Sequence, residues 1–186
     1  MKNNNELEYT LIRSRRKSIS LSINSEGSIT VKAPNRMPEF LIQQFVSSKA
    51  IWIEKQLSRF RATKDLYPIP DLNESDIAII KEEFKKDILI HIDELSKQMN
   101  VRPNAIRLTS ARSRWGSCSS KRNININWRL ALLPNNLSRY VIVHELAHLR
   151  HMNHSPRFWR FVQAHDTEYK THRKDLKNYS HFLTSL

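Results

Sequence analysis

The chain has 186 residues, enough for one sizeable core or for a compact core with a smaller appended lobe. It is 39% hydrophobic and 26% charged, as ordinary soluble globular proteins are, and no run approaches the roughly 18–20 apolar residues that a membrane span requires. The net charge of +13 is uneven: residues 94–186 carry 16 Lys and Arg against 5 Asp and Glu, whereas residues 1–93 carry 15 against 13.

A basic half of this kind attracts anions, so nucleic acid or a phosphorylated substrate is a candidate partner, beside the plainer reading of a basic surface. Met1 to Glu6 is polar and lacks the apolar stretch of a secretory signal. Cys118 is the single cysteine, which rules out an intrachain disulfide and makes a reducing cytoplasm the expected compartment.

In chain order, Leu7 to Ile12 reads as a strand, and Ile19, Leu21 and Ile23 alternate with serines at period two. Asn24-Ser25-Glu26-Gly27 supplies a turn, and Ile29, Val31 and Ala33 resume the alternation up to Pro34, so the segment predicts a β-hairpin. From Phe40 to Phe60 the apolar residues keep the spacing of one amphipathic helix. Tyr67-Pro68-Ile69-Pro70 breaks that pattern and is the expected linker. It divides a hairpin-plus-helix lobe, residues 1–66, from a catalytic region, residues 67–186, the two together forming one compact unit. A second helix is expected from about Ser75 to Met99, with Ile79, Ile80, Phe84, Ile88 and Leu95 on its apolar side. Ala105–Thr109 and Ile124–Leu130 read as strands, joined by a polar, basic connection from Arg112 to Lys121. Pro134, Asn135 and Asn136 then open a helix from about Leu137. The fold class is α+β. With glycine only at Gly27 and Gly116, a glycine-rich phosphate cradle is excluded.

That last helix contains His144-Glu145-Leu146-Ala147-His148, a His-Glu-x-x-His motif. Residues four apart lie one turn from each other on the same face, so both imidazoles can reach one ion at roughly 2.0–2.1 Å. Glu145 is angularly displaced from them, which lets its carboxylate address and activate a metal-bound water as general base. Ile142, Val143, Leu146, Ala147 and Leu149 make the helix apolar round most of its circumference, and burying the three polar side chains there without partners would cost several kcal/mol by order of magnitude. One zinc ion per chain satisfies them. His151 shares the helical face of the pair, but about 10.5 Å of rise separates it from His144, too far for convergence on a tetrahedral ion. Ser155-Pro156 has the chemistry of an N-cap followed by a first-turn proline, so the first helix should end near Met152 or Asn153. His154 then lies in the reversal and can point back, which makes it the third ligand ahead of Glu168. Three protein ligands leave a fourth position open, as in catalytic zinc sites.

Several segments in order resemble the YgjP-like metallopeptidase family, whose site is related to those of SprT-like and WLM zinc peptidases. They are Arg114-Trp115-Gly116-Ser117-Cys118-Ser119, Asn125 to Leu130, His144 to Leu149, Asn153-His154-Ser155 and Phe158-Trp159. The likeness extends upstream to residues 11–33 and Ala50-Ile51-Trp52-Ile53, and downstream to Tyr169-Lys170 and Arg173-Lys174. The resemblance implies a zincin-like catalytic region with the His-Glu-x-x-His helix at its floor and His154 as third ligand. It also implies a metal-dependent hydrolase whose substrate is peptide or, by an activity associated with such proteins, nucleoside triphosphate. His151 stands where metzincins have a helix-ending glycine, so the chain is not a metzincin.

Trp115, Trp128, Phe158 and Trp159 fall on apolar faces and are expected in the core. Arg112, Arg114, Lys121, Arg129 and Arg150 are expected to form a basic rim, with Arg114, Lys121 and Arg129 as candidate oxyanion or substrate contacts. His172 is a candidate proton donor or supporting residue. Zinc peptidase, nucleotide phosphohydrolase and nucleic-acid-binding module are the three function classes, and the third leaves the His-Glu-x-x-His motif unexplained.

Overall fold

A computed structural model of the chain describes residues 7–24 and 27–186, so the polar start and the Ser25-Glu26 part of the expected turn lie outside the described residues. The chain divides into two compact units, Met1–Pro68 and Ile69–Leu186, each of mixed α+β structure.

In the first unit, β1 (Thr10–Ser14), β2 (Ser20–Ile23) and β3 (Ile29–Pro34) form a sheet of order β1-β3-β2. β2 and β3 are the expected antiparallel hairpin, with Leu21 opposite Val31. β1 runs parallel to β3 on its other edge, with Leu11 opposite Val31. Ile29, Val31 and Ala33 are buried in one cluster with Ile42, Val46 and Ile53. Those three come from two helices, not one: α1 (Glu39–Ser48) and α2 (Ala50–Leu66) part at Lys49, whose amide bonds the Val46 carbonyl three residues back. No Pro or Gly marks the break, so apolar spacing alone reads it as continuous. Arg13 donates to the Met37 carbonyl at 2.6 Å and pairs with Glu39 at 2.8 Å, pinning the connection between β3 and α1.

In the second unit, α3 (Glu74–Gln98) opens with a capping box in which Asn73 and Asp76 each accept the other's backbone N–H. Ile88, Ile92 and Leu95 are buried, while Ile79 is exposed, so burial is concentrated in the second half of the helix. β4 (Ala105–Thr109), β5 (Gly116–Cys118) and β6 (Asn123–Asn127) form a sheet of order β4-β6-β5, with β4 parallel and β5 antiparallel to β6. β5 lies inside the segment expected to be a polar connection; its three residues give no period-two signal. β6 is shorter than expected. Asn127 Oδ1 accepts the Arg129 amide, and Trp128–Leu132 turns into a 3-10 helix.

α4 (Asn135–His148) packs against β5, against α5 (Pro156–His165) and against α6 (Tyr169–Asp175), before a last short helix α7 (Phe182–Ser185). Val141, Ile142, Val143, Leu146 and Ala147 are all buried, so α4 is enclosed round most of its circumference. It ends at His148, earlier than the Met152–Asn153 expectation, because the Leu149, Arg150 and His151 amides fold back onto the Leu146 and Ala147 carbonyls. Among the described residues, no helix is long and apolar enough to cross a membrane.

Candidate metal centre

His144 and His148 lie on the last turn of α4, and His154 on the reversal before α5. Each offers a ring nitrogen, and the three nitrogens lie within 4.8 Å of one another. The ring centroids form a near-equilateral triangle of 4.7–5.0 Å, and Phe158, fully buried, sits 4.6–5.0 Å from all three. His144 Nε2 and His154 Nε2 are 3.1 Å apart, close to the roughly 3.3 Å edge of a tetrahedron with zinc–nitrogen bonds of the usual length. His148 Nδ1–H donates to the His151 carbonyl at 3.1 Å, which leaves Nε2 as its free nitrogen. His151 thus holds the His148 ring through its backbone carbonyl instead of joining the cluster. Burial, and then the neighbouring His148 and His154, push His144 down to about 3, so its imidazole is neutral and its lone pair available. Burial also lowers His148, against the opposing effect of its bond to His151.

Glu145 is 6% exposed, and burial pushes its carboxyl up to about 8 against the opposing charge of Arg114. Its side chain occupies the space above Gly116: a methyl there would stand 2.6 Å from Glu145 Cγ and 2.7 Å from Oε1. Glycine is needed at this point for close approach between strand and carboxylate. Gly116 is in turn set by Asn127, which is fully buried. Asn127 Nδ2 donates to the Ala111 carbonyl at 2.7 Å and the Arg114 carbonyl at 3.0 Å, and its backbone amide bonds Trp115 at 2.8 Å. One residue therefore holds three carbonyls of the approach to β5. Burial, and then Glu145, raise the Cys118 thiol two residues further along that strand.

The expected rim is narrower than the sequence suggests. Arg114 is exposed and its charge reaches Glu145. Arg129 is not a rim residue: it is 3% exposed, its guanidinium donates to the Leu186 backbone oxygen and lies 5.0 Å from the Trp128 ring, and burial lowers its pKa. Lys121 stands on the turn between β5 and β6, at the end of the hairpin away from Gly116. Arg150 packs over Phe161. His172 is buried, and its Nδ1 bonds Asp166 Oδ2 at 2.8 Å; the Tyr140 ring lies 6.4 Å from His172 and 5.9 Å from His144. Glu168 is exposed and faces His172, outside the cluster. Of the four tryptophan and phenylalanine residues expected in the core, Trp128 and Phe158 are buried, while Trp115 and Trp159 are partly exposed.

Sequence reasoning missed Gly116 and Asn127 as site builders, and it gave Arg173 no role. Arg173 lies 4.7 Å from the Trp159 ring, which stacks on His154 at 5.5 Å. A His-Glu-x-x-His motif followed by an aromatic pair and a downstream basic residue was visible, but nothing in their spacing says that they meet.

Three convergent imidazoles with a buried carboxylate beside them have the make-up of a metal-dependent hydrolase. The family model described as "YgjP-like, metallopeptidase domain" matches residues 17–80 and 72–179, and the chain belongs to that family. A crystal structure of the metallopeptidase zymogen of Pyrococcus abyssi abylysin is 20% identical, with a TM-score of 0.44 over 48% of this chain and 90% of that one. Among curated proteins none matches.

Proposed function

We propose that the protein is a zinc-dependent metallopeptidase in which His144, His148 and His154 hold the ion and Glu145 is the general base. The observation that carries this reading is the approach of three imidazole nitrogens to within 4.8 Å of one another, on the helix that also buries Glu145. An all-imidazole donor set suits zinc, and three donors leave a fourth position for substrate or water. A bound ion would supply Lewis acidity, polarising a scissile carbonyl and making water easier to deprotonate. A Glu145 carboxylate oxygen accepts that proton and returns it to the departing amine. Burial holds the Glu145 carboxyl up at about 8, Arg114 and a bound cation would both draw it toward the ionised form that accepts a proton, and Gly116 leaves room for it.

The sheet favours a peptide as substrate. β5 is the outermost strand of its sheet, so an extended peptide paired along it would run its backbone past Glu145. The lone, partly buried Cys118 suits a reducing compartment such as the cytoplasm. Nucleoside-triphosphate hydrolysis is the second reading, favoured by the basic half of the chain, although Arg129 does not contribute to it.

The test is a side-by-side assay of a mixed peptide library and nucleoside triphosphates with zinc-loaded protein. Peptides should be cleaved, with activity falling about 10²–10⁴-fold in Glu145→Gln while metal content and circular dichroism stay unchanged. His154→Ala should lose zinc far more readily than His151→Ala in a chelator competition. Nucleotide turnover without peptide cleavage would replace this reading with the second.

A further inference from the structure

Arg173 is exposed on α6, one turn after Tyr169, and both side chains lie on Trp159. The guanidinium carbon is 4.7 Å from the indole centroid, and Tyr169 stacks on the same ring at 5.4 Å with an 18° interplanar angle. Trp159 also stacks on His154, at 5.5 Å and 22°, and lies 5.8 Å from His144. Indole and guanidinium therefore form a layered support that leads from the exposed third histidine to a fixed positive charge. No carboxylate lies within ion-pair distance of Arg173 among the described residues.

A planar guanidinium held by stacking loses little further freedom when it binds a ligand, and its fork of donors matches a carboxylate. An arginine used only for packing would keep its charge solvated anywhere on the surface. This one is held on the indole that stacks on His154, whose side chain is exposed. We propose that Arg173 is a specificity-determining residue that selects peptides carrying a carboxylate near the scissile bond. The inference rests on the peptidase reading above. The carboxylate has two sources, an acidic side chain or a free peptide C-terminus, and the substrates below separate them.

Zinc-loaded, full-length protein is first profiled on a synthetic peptide library with randomised flanking positions, and cleavage sites are read by mass spectrometry. From the best sequence two matched pairs are made: Glu against Gln at the selected position, and free acid against carboxamide at the C-terminus. Wild type should prefer the acid in one pair by about tenfold or more in kcat/KM, the scale of one charge-assisted hydrogen bond. Arg173→Gln should bring that ratio close to one. Arg173→Lys should retain part of it, and Lys97→Gln, which removes the same charge from the exposed side of α3, should leave it unchanged. A merely structural Arg173 would lower both members of a pair equally. Equal cleavage of acid and amide by wild type, or an unaltered ratio in Arg173→Gln, overturns the inference and leaves the peptidase reading standing. Failure to cleave any peptide, charged or neutral, overturns both.

Discussion

The two three-stranded sheets share one topology: the third strand is central, the first lies parallel to it and the second antiparallel. Each also holds one of the chain's two glycines, Gly27 in the β2–β3 connection and Gly116 at the start of β5. The sheets differ in what faces them. Val31 and Ala33 in the first are fully buried in a cluster of Ile and Val side chains, so that face is sealed by apolar contact. In the second, a carboxylate fills the place where a side chain at Gly116 would stand. The same topology thus faces an apolar core in one unit and a buried carboxylate in the other. What separates them is a missing Cβ and a helix that carries Glu145 among its buried residues.

Adding the Cβ should produce the largest effect. Gly116→Ala is expected to push the Glu145 carboxylate aside and lower kcat/KM by about 10²-fold, the cost of a misplacement near 1 Å at a reacting group. Zinc content should stay near that of wild type, since the three atoms nearest the new methyl all belong to Glu145. In a Glu145→Gln background the same substitution should add little, because both changes act on one carboxylate. Additive losses would show that Gly116 matters for some other reason.

Asn127→Ala should act next in size, and on stability. The ends of the two sheets are tied in different ways: exposed Arg13 bonds the carbonyls after β3, whereas buried Asn127 bonds those before β5. Truncating Asn127 leaves the Ala111 and Arg114 carbonyls without their donor, at a cost of about 1–3 kcal/mol in denaturant unfolding. Hydrogen exchange should rise at Trp115 to Cys118 first. Unchanged exchange there would mean that the loop is held by something else.

Much of this is legible in the sequence. Period-two patterns located β2 and β3, and the Ser155-Pro156 pair placed His154 on a reversal that brings it to His144. Spacing is local information, and it serves for residues that are neighbours in the chain. It failed where residues far apart meet. β5 is three residues long and has no alternation to detect, yet it forms the wall beside Glu145. Arg129 reads as a surface cation beside a strand, but its guanidinium is buried against the Trp128 ring and the Leu186 backbone. Arg173 carries no motif of its own. Its place follows from α6 packing on Trp159, a contact between residues 14 apart.

The smallest expected effect sharpens the comparison from the other side. Gly27 has φ of +87°, a backbone region that side chains with a Cβ rarely adopt. Among the described residues a methyl there would meet only Leu57 Cδ2, at an ordinary 3.5 Å. Gly27→Ala should therefore cost about 1 kcal/mol through backbone strain alone. Gly27→Asn should cost less, because asparagine tolerates positive φ better than alanine does. Equal losses for the two would remove backbone conformation as the reason for glycine at this turn. Neither variant should alter zinc content or kcat/KM, because Gly27 serves the chain's path and Gly116 serves a carboxylate. A fall in kcat/KM in Gly27→Ala, with zinc retained, would break the comparison by showing that catalysis in residues 69–186 depends on the conformation of the first hairpin.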